Sequence, residues 1–329
     1  LRHIRTMLPL EIFAVVTLAL LLDVAIGDPK RLYALVPHPV VLIGRIIGAM
    51  DEVLNRDEIK SRLKKMLGIL LVISLCSGMA IIGILISGAL AEHYWGWVAE
   101  AFVISMFLAG KSLADHVAAV RYALVNEDLE EGRVAVSAIV GRDTEALDEA
   151  GVVRAAIESL AENFSDGVVA PVFWALLFGL PGILVYKAIN TADSMIGHKT
   201  EKHRDFGWAA ARLDDLLNLI PARISGFLIV AGAALSRGLS ATGGIRTIIR
   251  DARHHRSPNA GYPEAAMAGV LGVRLAGPRQ YGDEMIEDAW MGDGREEATP
   301  DDIGQALRVY WVALAILALD CGALSGLLL

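Results

Sequence analysis

One unbroken apolar run, residues 67–91 (LGILLVISLCSGMAIIGILISGALA), contains no charged side chain. A helix needs about 20 mainly apolar residues to cross the hydrocarbon core of a bilayer. This run therefore predicts a membrane-spanning helix. The residues that follow, EHYWGW, place Tyr94, Trp95 and Trp97 where an aromatic belt at the membrane interface is expected. A simple soluble globule does not account for such a segment.

Several other segments are apolar enough to enter a membrane, and polar blocks separate them. Hydrophobic residues make up 54% of the chain and charged residues 21%, so apolar and polar blocks alternate. The pattern predicts an all-α fold, a polytopic integral membrane helical bundle of about four to six membrane segments with cytoplasmic helices. The further segments are 8–26, 97–110, 167–186, 216–236 and 309–329.

Lysine and arginine in the loops indicate the orientation of the chain, because basic loops stay in the cytoplasm. The long loop between the first two segments is the most basic, and we expect it and three later polar insertions to be cytoplasmic. That arrangement requires one of the segments 167–186 and 216–236 to be re-entrant or broken, and either could be. We predict a single domain over 1–329 in the cytoplasmic membrane, with insertions at 27–66, 111–166, 187–215 and 237–307.

Composition excludes several classes of protein. The net charge of −8 gives no global reason to expect nucleic acid. Cys76 and Cys321 lie in apolar runs, so we interpret them as packing residues rather than a disulfide or metal site. Apolar residues at helical spacing predict helices within 111–131 and 144–162, and we find no β-rich run and no glycine-rich phosphate loop.

The stretch 154–171, RAAIESLAENFSDGVVAP, carries more polar side chains than packing requires. Arg154 and Glu158 are four residues apart, and we interpret them as a surface ion-pair ladder. The residues after them border an apolar segment, where an unsatisfied polar group is costly, and this favours a functional role. These candidates are Glu162, Asn163, Ser165 and Asp166.

The stretch 186–223 is rich in side-chain oxygens and positive charge. Carboxylates beside asparagine suit Mg²⁺, which in turn binds phosphate, and basic side chains suit an anionic substrate. The alternative for Asp214 and Asp215 is a solvated helix face. His198 and His203 lack a third ligand, so we interpret them as loop residues rather than a zinc site. The candidates are Lys187, Asn190, Thr191, Asp193, Ser194, Arg212, Asp214, Asp215, Asn218 and Arg223.

Two further stretches complete the set. Arg246, Arg250 and Arg253 form a stripe at helical spacing, for which contact with anionic lipid headgroups is a serious alternative to substrate binding. The turn SPNAGYPE precedes a helix of small residues, and it supplies Ser257, Asn259 and Glu264. The loop GDPKRLYALVPHP supplies Asp28 and His38, and a purely structural turn explains that loop equally well.

These stretches, in this order, resemble the CobD/CbiB family of adenosylcobinamide-phosphate synthases. The matching text is GDPKRLYALVPHPVVLIG, AENFSDGVVAPVFW, KAINTADSMIGHKTEKHRDFGWAAARLDDLLNLIPAR and SPNAGYPEAAMAGVLGVRLAGPRQYG. The resemblance implies an integral membrane ligase that joins adenosylcobyric acid, a corrinoid, to 1-aminopropan-2-ol or its O-phosphate. ATP is consumed and an amide forms. Partners would include the lipid bilayer and either other cobalamin-assembly enzymes or a second copy of the chain.

A mechanism through an acyl phosphate fits the candidate residues. Asp193, Asp214 and Asp215 would hold Mg²⁺, with Asp193 and Lys187 also catalytic, and Glu162 or Asp166 would accept the proton of the attacking amine. The other candidates would bind substrate or nucleotide, and we expect all of them to converge on one pocket facing the cytosol. The alternatives are a membrane transporter and a non-catalytic sensor or scaffold like the AmpE-like membrane proteins.

Overall fold

The computed structural model describes all residues except 1–8, 30–32, 34, 36, 142, 199, 278, 282–283, 287 and 328–329. Within the described residues the chain is almost entirely helical, which confirms the all-α prediction. The helices are α1 (Pro9–Ile26), α2 (Pro39–Leu54), α3 (Ser61–Ala91), α4 (Gly96–Ser105), α5 (Gly110–Asn126), α6 (Leu129–Ser137), α7 (Glu149–Phe164), α8 (Ala170–Ile196), α9 (Trp208–Leu217), α10 (Leu219–Ala234), α11 (Ala241–Asp251), α12 (Gly261–Leu271) and α13 (Pro300–Leu327).

Long apolar helices confirm that this is a membrane protein. Four helical stretches of the described chain are long and apolar enough to cross a bilayer, and a pair of helices interrupted at Asn218 would make a fifth if it formed one span. α1, predicted as the first segment, is 18 residues long and is not among the four. The four stretches are Ser61–Ala91, Gly96–Asn126, Glu149–Ile196 and Pro300–Ser325, and the pair is Trp208–Leu217 with Leu219–Ala234.

The chain divides into two compact units. The first comprises Leu1–Ala109, Ala170–Asn218 and Asp320–Leu329, and the second comprises Gly110–Val169 and Leu219–Leu319. In the first unit, α8 packs against α2, α3, α4 and α9. In the second unit, α12 packs against α7, α10 and α11.

Helix α8 is broken at Gly179, inside the predicted segment 167–186. Gly179 has φ 63° and ψ −151°, a backbone conformation that glycine adopts far more readily than other residues. α3 approaches the break closely, since a Cβ on Gly83 would lie 2.6 Å from the Cα of Pro181. The prediction of a broken segment is therefore confirmed. Both of the two segments are interrupted, 167–186 at Gly179 and 216–236 at Asn218, where the flanking helices are bent by 46°.

The buried side chain of Glu100 accepts a hydrogen bond from the backbone at this break. Glu100 of α4 is almost fully buried, and its Oε1 accepts a hydrogen bond of 2.8 Å from the hydroxyl of Ser87 in α3. The backbone N–H of Leu180, the first residue after Gly179, also donates to this carboxylate. A helix interrupted at such a position exposes backbone groups that need partners, and Glu100 supplies one.

In the second unit, α5 and α7 correspond to the helices predicted within 111–131 and 144–162. The predicted core positions Val117, Val120, Val153 and Ile157 are fully buried. α7 begins later than predicted because Asp148 caps it, accepting a hydrogen bond of 2.7 Å from the backbone N–H of Gly151.

Two short antiparallel pairs of strands were not predicted from the sequence. β1 (Leu275–Ala276) pairs with β4 (Trp290–Met291), and β2 (Arg279–Tyr281) pairs with β3 (Glu284–Ile286). Strands of two or three residues are too short to show the alternation by which a strand is recognised.

The predicted surface ladder of Arg154 and Glu158 is wrong. Glu158 is buried, and its Oε1 accepts a hydrogen bond of 2.8 Å from the backbone N–H of Ala276. Ala276 has φ 58°, an unusual value for a residue with a side chain. Arg154 instead donates to the carbonyl oxygen of Glu296, at 2.7 Å. A buried backbone N–H requires a hydrogen-bond acceptor. Glu158 is that acceptor for Ala276, which explains why its side chain is buried.

Candidate functional site

Asp214 lies at the centre of a buried polar network in the first unit. Its side chain, on α9, is held at both oxygens: Asn190 Nδ2 donates to Oδ1 at 3.3 Å, and Asn218 Nδ2 donates to Oδ2 at 2.9 Å. The hydroxyl of Tyr186 donates in turn to Asn218 Oδ1, at 2.9 Å. With the residue only 8% exposed, this carboxylate has a fixed position and orientation. The alternative of a solvated helix face is wrong for Asp214.

Two further carboxylates, Asp193 and Asp215, interact electrostatically with Asp214 and with each other. Asp215 also forms an ion pair with Arg212, at 3.2 Å. Gly197 leaves room for Asp193, because a Cβ at position 197 would lie 1.9 Å from Asp193 Oδ1. Three acidic side chains thus share a small volume at the adjoining ends of α8 and α9.

No group of three or more metal-ligating side chains in the described part of the chain has a geometry that could hold a metal ion unaided. Mg²⁺ commonly takes only one or two protein carboxylates and completes its coordination with water and substrate phosphates. The donor set of the Asp193, Asp214 and Asp215 side chains suits Mg²⁺ bound in that way, and it does not suit a closed site made of protein ligands alone.

The hydroxyl candidates of α8 bond to their own helix. Thr191 Oγ1 donates to the carbonyl oxygen of Lys187 at 2.6 Å, and Ser194 Oγ donates to that of Asn190 at 2.9 Å. Each bond spans four residues of one helix, so it places the side chain along the helix surface. The proposed role of these hydroxyls in substrate binding stays a prediction.

His38 brings the loop before α2 to the same region of the first unit. Its Nδ1 accepts a hydrogen bond of 3.2 Å from the backbone N–H of Val40, so the neutral ring carries its proton on Nε2. That atom lies 3.8 Å from Asp28 Oδ1. Burial is the main cause that lowers the pKa of His38; the charge of Lys187 acts in the same direction, while Asp28 and the Met106 carbonyl oppose the shift. The imidazole is therefore neutral at neutral pH.

Sequence analysis missed one further buried aspartate of the first unit, Asp51 of α2. This buried side chain accepts hydrogen bonds from Lys202 Nζ at 2.7 Å, His203 Nε2 at 3.1 Å and Asn55 Nδ2 at 2.9 Å. Burial alone would raise the pKa of Asp51, but the hydrogen bonds from Lys202, Asn55 and His203 outweigh it and hold that pKa below its usual value. The loop from α8 to α9, and with it His203, is thereby attached to α2.

In the second unit, Glu162 and Asn163 lie in the last turn of α7, and Ser165 and Asp166 lie in the π-helical turn that follows, Ser165–Val169. Such turns are rare and often occur at functional sites. Asn163 Nδ2 donates to the carbonyl and hydroxyl oxygens of Ser159, at 2.9 and 3.2 Å. Ser165 is buried, and its hydroxyl has no hydrogen-bond partner among the described residues. Glu162 is exposed and Asp166 is half-buried.

A buried pair joins the turn before α12 to the helix itself: His255 lies in the turn and Glu264 in the first turn of α12. Their closest atoms, Nε2 and Oε1, are 3.6 Å apart, and Glu264 is 2% exposed. His255 Nδ1 accepts a hydrogen bond from the backbone N–H of Ser257, at 3.1 Å, so Nε2 faces the carboxylate. Sequence analysis proposed Glu264 and missed His255, although HH at 254–255 lies only one residue before the SPNAGYPE turn.

The remaining candidates of this unit have structural partners. Ser257 Oγ accepts hydrogen bonds from the backbone N–H groups of Asn259 and Ala260, at 3.3 and 3.2 Å. Asn259 is buried. The guanidinium of Arg223 lies 4.0 Å from the centre of the Tyr262 ring, a cation–π contact between α10 and α12.

The candidates therefore belong to two groups, one in each unit. The first unit holds Asp28, His38, Lys187, Asn190, Thr191, Asp193, Ser194, Arg212, Asp214, Asp215 and Asn218. The second unit holds Glu162, Asn163, Ser165, Asp166, Arg223, Ser257, Asn259 and Glu264.

An apolar cavity of about 270 Å³ adjoins the Asp214 network in the first unit. Trp174, Tyr186 and Leu217 contribute to its wall, and the Trp174 indole donates to the Leu217 carbonyl at 3.1 Å. Tyr186 also donates to Asn218, so one side chain borders both the cavity and the polar network. The apolar cavity is thus linked to Asp214 through the hydrogen bonds of Tyr186 and Asn218.

Comparison with known proteins confirms the resemblance seen in the sequence. The family profile described as CobD/Cbib protein matches residues 16–310. The chain is similar to the Cobalamin biosynthesis protein CobD of Sinorhizobium fredii, with 51% identity over 317 residues, 94% of this chain and 95% of the relative. Proteins of the same name from Rhizobium meliloti and Rhodobacter capsulatus are 49% and 46% identical, over 93% and 95% of this chain and 95% and 98% of their own lengths. No solved structure matches.

Proposed function

Since this chain belongs to the CobD/CbiB family, we propose that it is a membrane-bound enzyme of cobalamin biosynthesis. It joins the carboxyl group of adenosylcobyric acid to the amine of 1-aminopropan-2-ol or its O-phosphate, with ATP as co-substrate, and the product is an amide. The site faces the cytoplasm at the cytoplasmic membrane. The observation that carries this proposal is the buried Asp214, fixed by two asparagines beside two more carboxylates.

The proposed reaction has two steps. An oxygen of the corrinoid carboxylate attacks the γ-phosphorus of ATP, and ADP leaves. The amine nitrogen then attacks the carbonyl carbon of the resulting acyl phosphate, and inorganic phosphate leaves as the amide forms. Positioning and charge neutralisation do most of the work in phosphoryl transfer, which is what fixed charged groups provide.

The acidic residues and the nearby basic ones have separate roles in this proposal. One or two carboxylates of the set Asp193, Asp214 and Asp215 would hold Mg²⁺ together with water and substrate phosphates, and the ion when bound neutralises negative charge on the phosphoryl oxygens. Lys187 and Arg212 attract the anionic substrates, and the ion pair between Arg212 and Asp215 keeps that guanidinium beside the acidic cluster. The two asparagines keep the Asp214 carboxylate from rotating.

A proton must leave the amine as the amide forms. Glu162 or Asp166 is the proposed acceptor, and His38, neutral and partly buried, is a third group able to take the proton. The apolar cavity beside Tyr186 supports binding of a large substrate with apolar faces. The corrinoid macrocycle is far larger than this cavity, so only an edge of it would enter.

The test uses the full chain purified in detergent or nanodiscs with adenosylcobyric acid, Mg·ATP and either form of the amino alcohol. Mass spectrometry detects the amide product. The Asp215→Ala variant is expected to lose amide formation while remaining folded, and the Asp57→Ala variant, which removes an exposed aspartate elsewhere in the first unit, is expected to keep it. Near-normal turnover by Asp215→Ala would reject the metal role.

The broken helix favours one alternative, a membrane transporter. Helices interrupted within the membrane beside an ionisable side chain are common in transporters, and the Gly179 break with the buried Glu100 is such an arrangement. Uptake of a solute into liposomes without amide formation would support it. Absence of both activities would favour a sensor or scaffold of the AmpE-like kind.

A further inference from the structure

Helix α11 turns its apolar side chains outward. Ile249 is 74% exposed and Ile245 is also exposed, one turn apart on the same side of the helix. Leu235, just after the end of α10, is 72% exposed. We call Leu235, Ile245 and Ile249, with the arginines described below, the α11 surface.

The opposite face of α11 is made of small residues and packs closely inside the second unit. A Cβ on Gly243 would lie 2.4 Å from the carbonyl oxygen of Gly269, and one on Gly244 would lie 2.7 Å from Val270 Cγ1. Thr247, on this side, is buried. The glycine face is thus the one that packs closely against α12, while Ile245 and Ile249 lie on an exposed side of the helix. An ordinary surface helix turns its large apolar side chains toward the core, whereas α11 has Ile245 and Ile249 on its exposed side.

Exposed arginines flank the outward isoleucines. Arg246 of α11 is exposed, and so is Arg253 in the 3₁₀ turn, Ala252–His254, that directly follows the helix. Arg250, between them, forms ion pairs with Asp251 and Asp293 and so contributes little net charge. The α11 surface thus combines exposed apolar side chains with positive charge, the combination by which amphipathic helices bind anionic membranes.

The position of α11 in the chain indicates which membrane surface it meets. α10 is apolar apart from Arg223 and Ser225, it belongs to the helix pair that could form a membrane span, and it ends at Ala234. Only residues 235–240 separate that end from the start of α11 at Ala241. A short connection of this kind keeps α11 close to the level at which the chain leaves the bilayer.

We propose that α11 lies in the membrane interface and binds anionic phospholipids. Ile245, Ile249 and Leu235 enter the boundary between headgroups and acyl chains, and Arg246 and Arg253 contact lipid phosphates. This role is separate from the proposed chemistry, because none of the five side chains belongs to the Asp214 network or to the His255 and Glu264 pair.

The first test measures the environment of single nitroxide labels in the full chain, with Cys76 and Cys321 replaced. Labels at Ile249→Cys and at Val134→Cys, a matched exposed position on α6, are compared in nanodiscs containing phosphatidylglycerol. At position 249 we expect high collision rates with oxygen and low rates with a water-soluble nickel chelate, and at position 134 the reverse. High nickel access at 249 would overturn the proposal. Low access to both reagents would also overturn it, because it indicates cover by protein.

The second test measures selectivity for lipid charge. Native mass spectrometry counts phosphatidylglycerol and phosphatidylcholine retained by the wild type and by the Arg246→Gln, Arg253→Gln double variant. Each arginine removed is expected to weaken retention of phosphatidylglycerol about fivefold, with no change for phosphatidylcholine. Arg56→Gln, an exposed arginine of the first unit, is the single-charge control. Equal retention of both lipids by wild type and double variant would overturn the assignment of the two arginines.

Discussion

The two groups of candidate residues hold their acids in different ways. Asp214 has an amide donor on each oxygen and two more acidic side chains nearby, so its oxygens are fixed in position beside those of its neighbours. Glu264 faces an imidazole nitrogen at 3.6 Å, a partner that can give or take a proton. The first arrangement suits binding of a cation or polarisation of phosphate, and the second suits proton transfer.

The largest effect is expected from Asp214→Ala. Removing a fixed charge that stabilises the transition state typically costs on the order of 10²–10³-fold in turnover, and amide formation measured by mass spectrometry should fall by that much. Asn190→Ala, which leaves the carboxylate but removes one of its donors, should cost less. If Asp214→Ala retained wild-type turnover, the Asp214 network would have no catalytic role. The proposed difference in chemistry between the two groups of candidate residues would then be wrong.

A somewhat smaller effect is expected from Glu264→Gln in the second group. If this carboxylate and His255 carry a proton, turnover should fall roughly 10²-fold, and the dependence of turnover on pH should lose one limb. Glu131→Gln, at an exposed position of α6, is the control and should leave both unchanged. A loss of turnover with an unaltered pH profile would assign Glu264 to packing instead.

Gly197→Ala tests whether the position of Asp193 matters. The added Cβ would meet Asp193 Oδ1 at 1.9 Å and the Asp193 carbonyl oxygen at 2.7 Å, so the carboxylate and the end of α8 must both move. Displacement of a catalytic group should lower turnover on the order of tenfold. Gly141→Ala, where a Cβ would meet nothing within 4 Å, is the matched control. Equal turnover of the two variants would show that Asp193 is dispensable.

The smallest effect on turnover is expected from Asp51→Asn, which loosens the loop between α8 and α9. The pKa of Asp51 is lowered in the folded protein, so its contribution is present above the unfolded value of about 3.9 and is lost as pH falls through the folded value. The pKa of Lys202 is raised, chiefly by its hydrogen bond to Asp51, so its contribution is present below about 10.4 and is lost on the alkaline side.

Cleavage by trypsin within 197–207 measures how firmly Asp51 holds the loop between α8 and α9. Trypsin is active only inside the range of about pH 4 to 10 in which Asp51 and Lys202 keep their charges, so the loop of the wild type should be protected throughout the assay. Asp51→Asn should be cleaved faster throughout that range and should show little dependence on pH. Asp57→Asn should behave as the wild type. A variant at Asp51 with unchanged cleavage would show that the loop is held by other contacts.

Local patterns in the sequence predicted the features that depend on local chemistry. The uncharged run 67–91 became α3, and the glycine and proline of GLPG marked the break in α8. Helical spacing located α5 and α7 and their buried faces. The polar clusters around 190 and 214 were recognised because carboxylates and asparagines recur there at the spacing of a helical turn.

Contacts between distant residues could not be predicted in this way. Asp51 meets Lys202 across 151 positions, and Glu158 meets Ala276 across 118. Periodicity shows which face of a helix is buried but does not identify the segment that covers it. Glu100 was overlooked for the same reason, since a single acid in an apolar segment has no local partner in the sequence.

The break in α8 also bears on biogenesis. Ribosomes deliver the chain from its N-terminus, so α3 and α4, which supply Ser87 and Glu100, are made before Gly179 and Leu180. Polar backbone at that depth of a bilayer is unfavourable without partners. The interrupted segment therefore arrives where its acceptor has already been inserted, and a circularly permuted chain that reversed this order would expose the break to lipid during insertion.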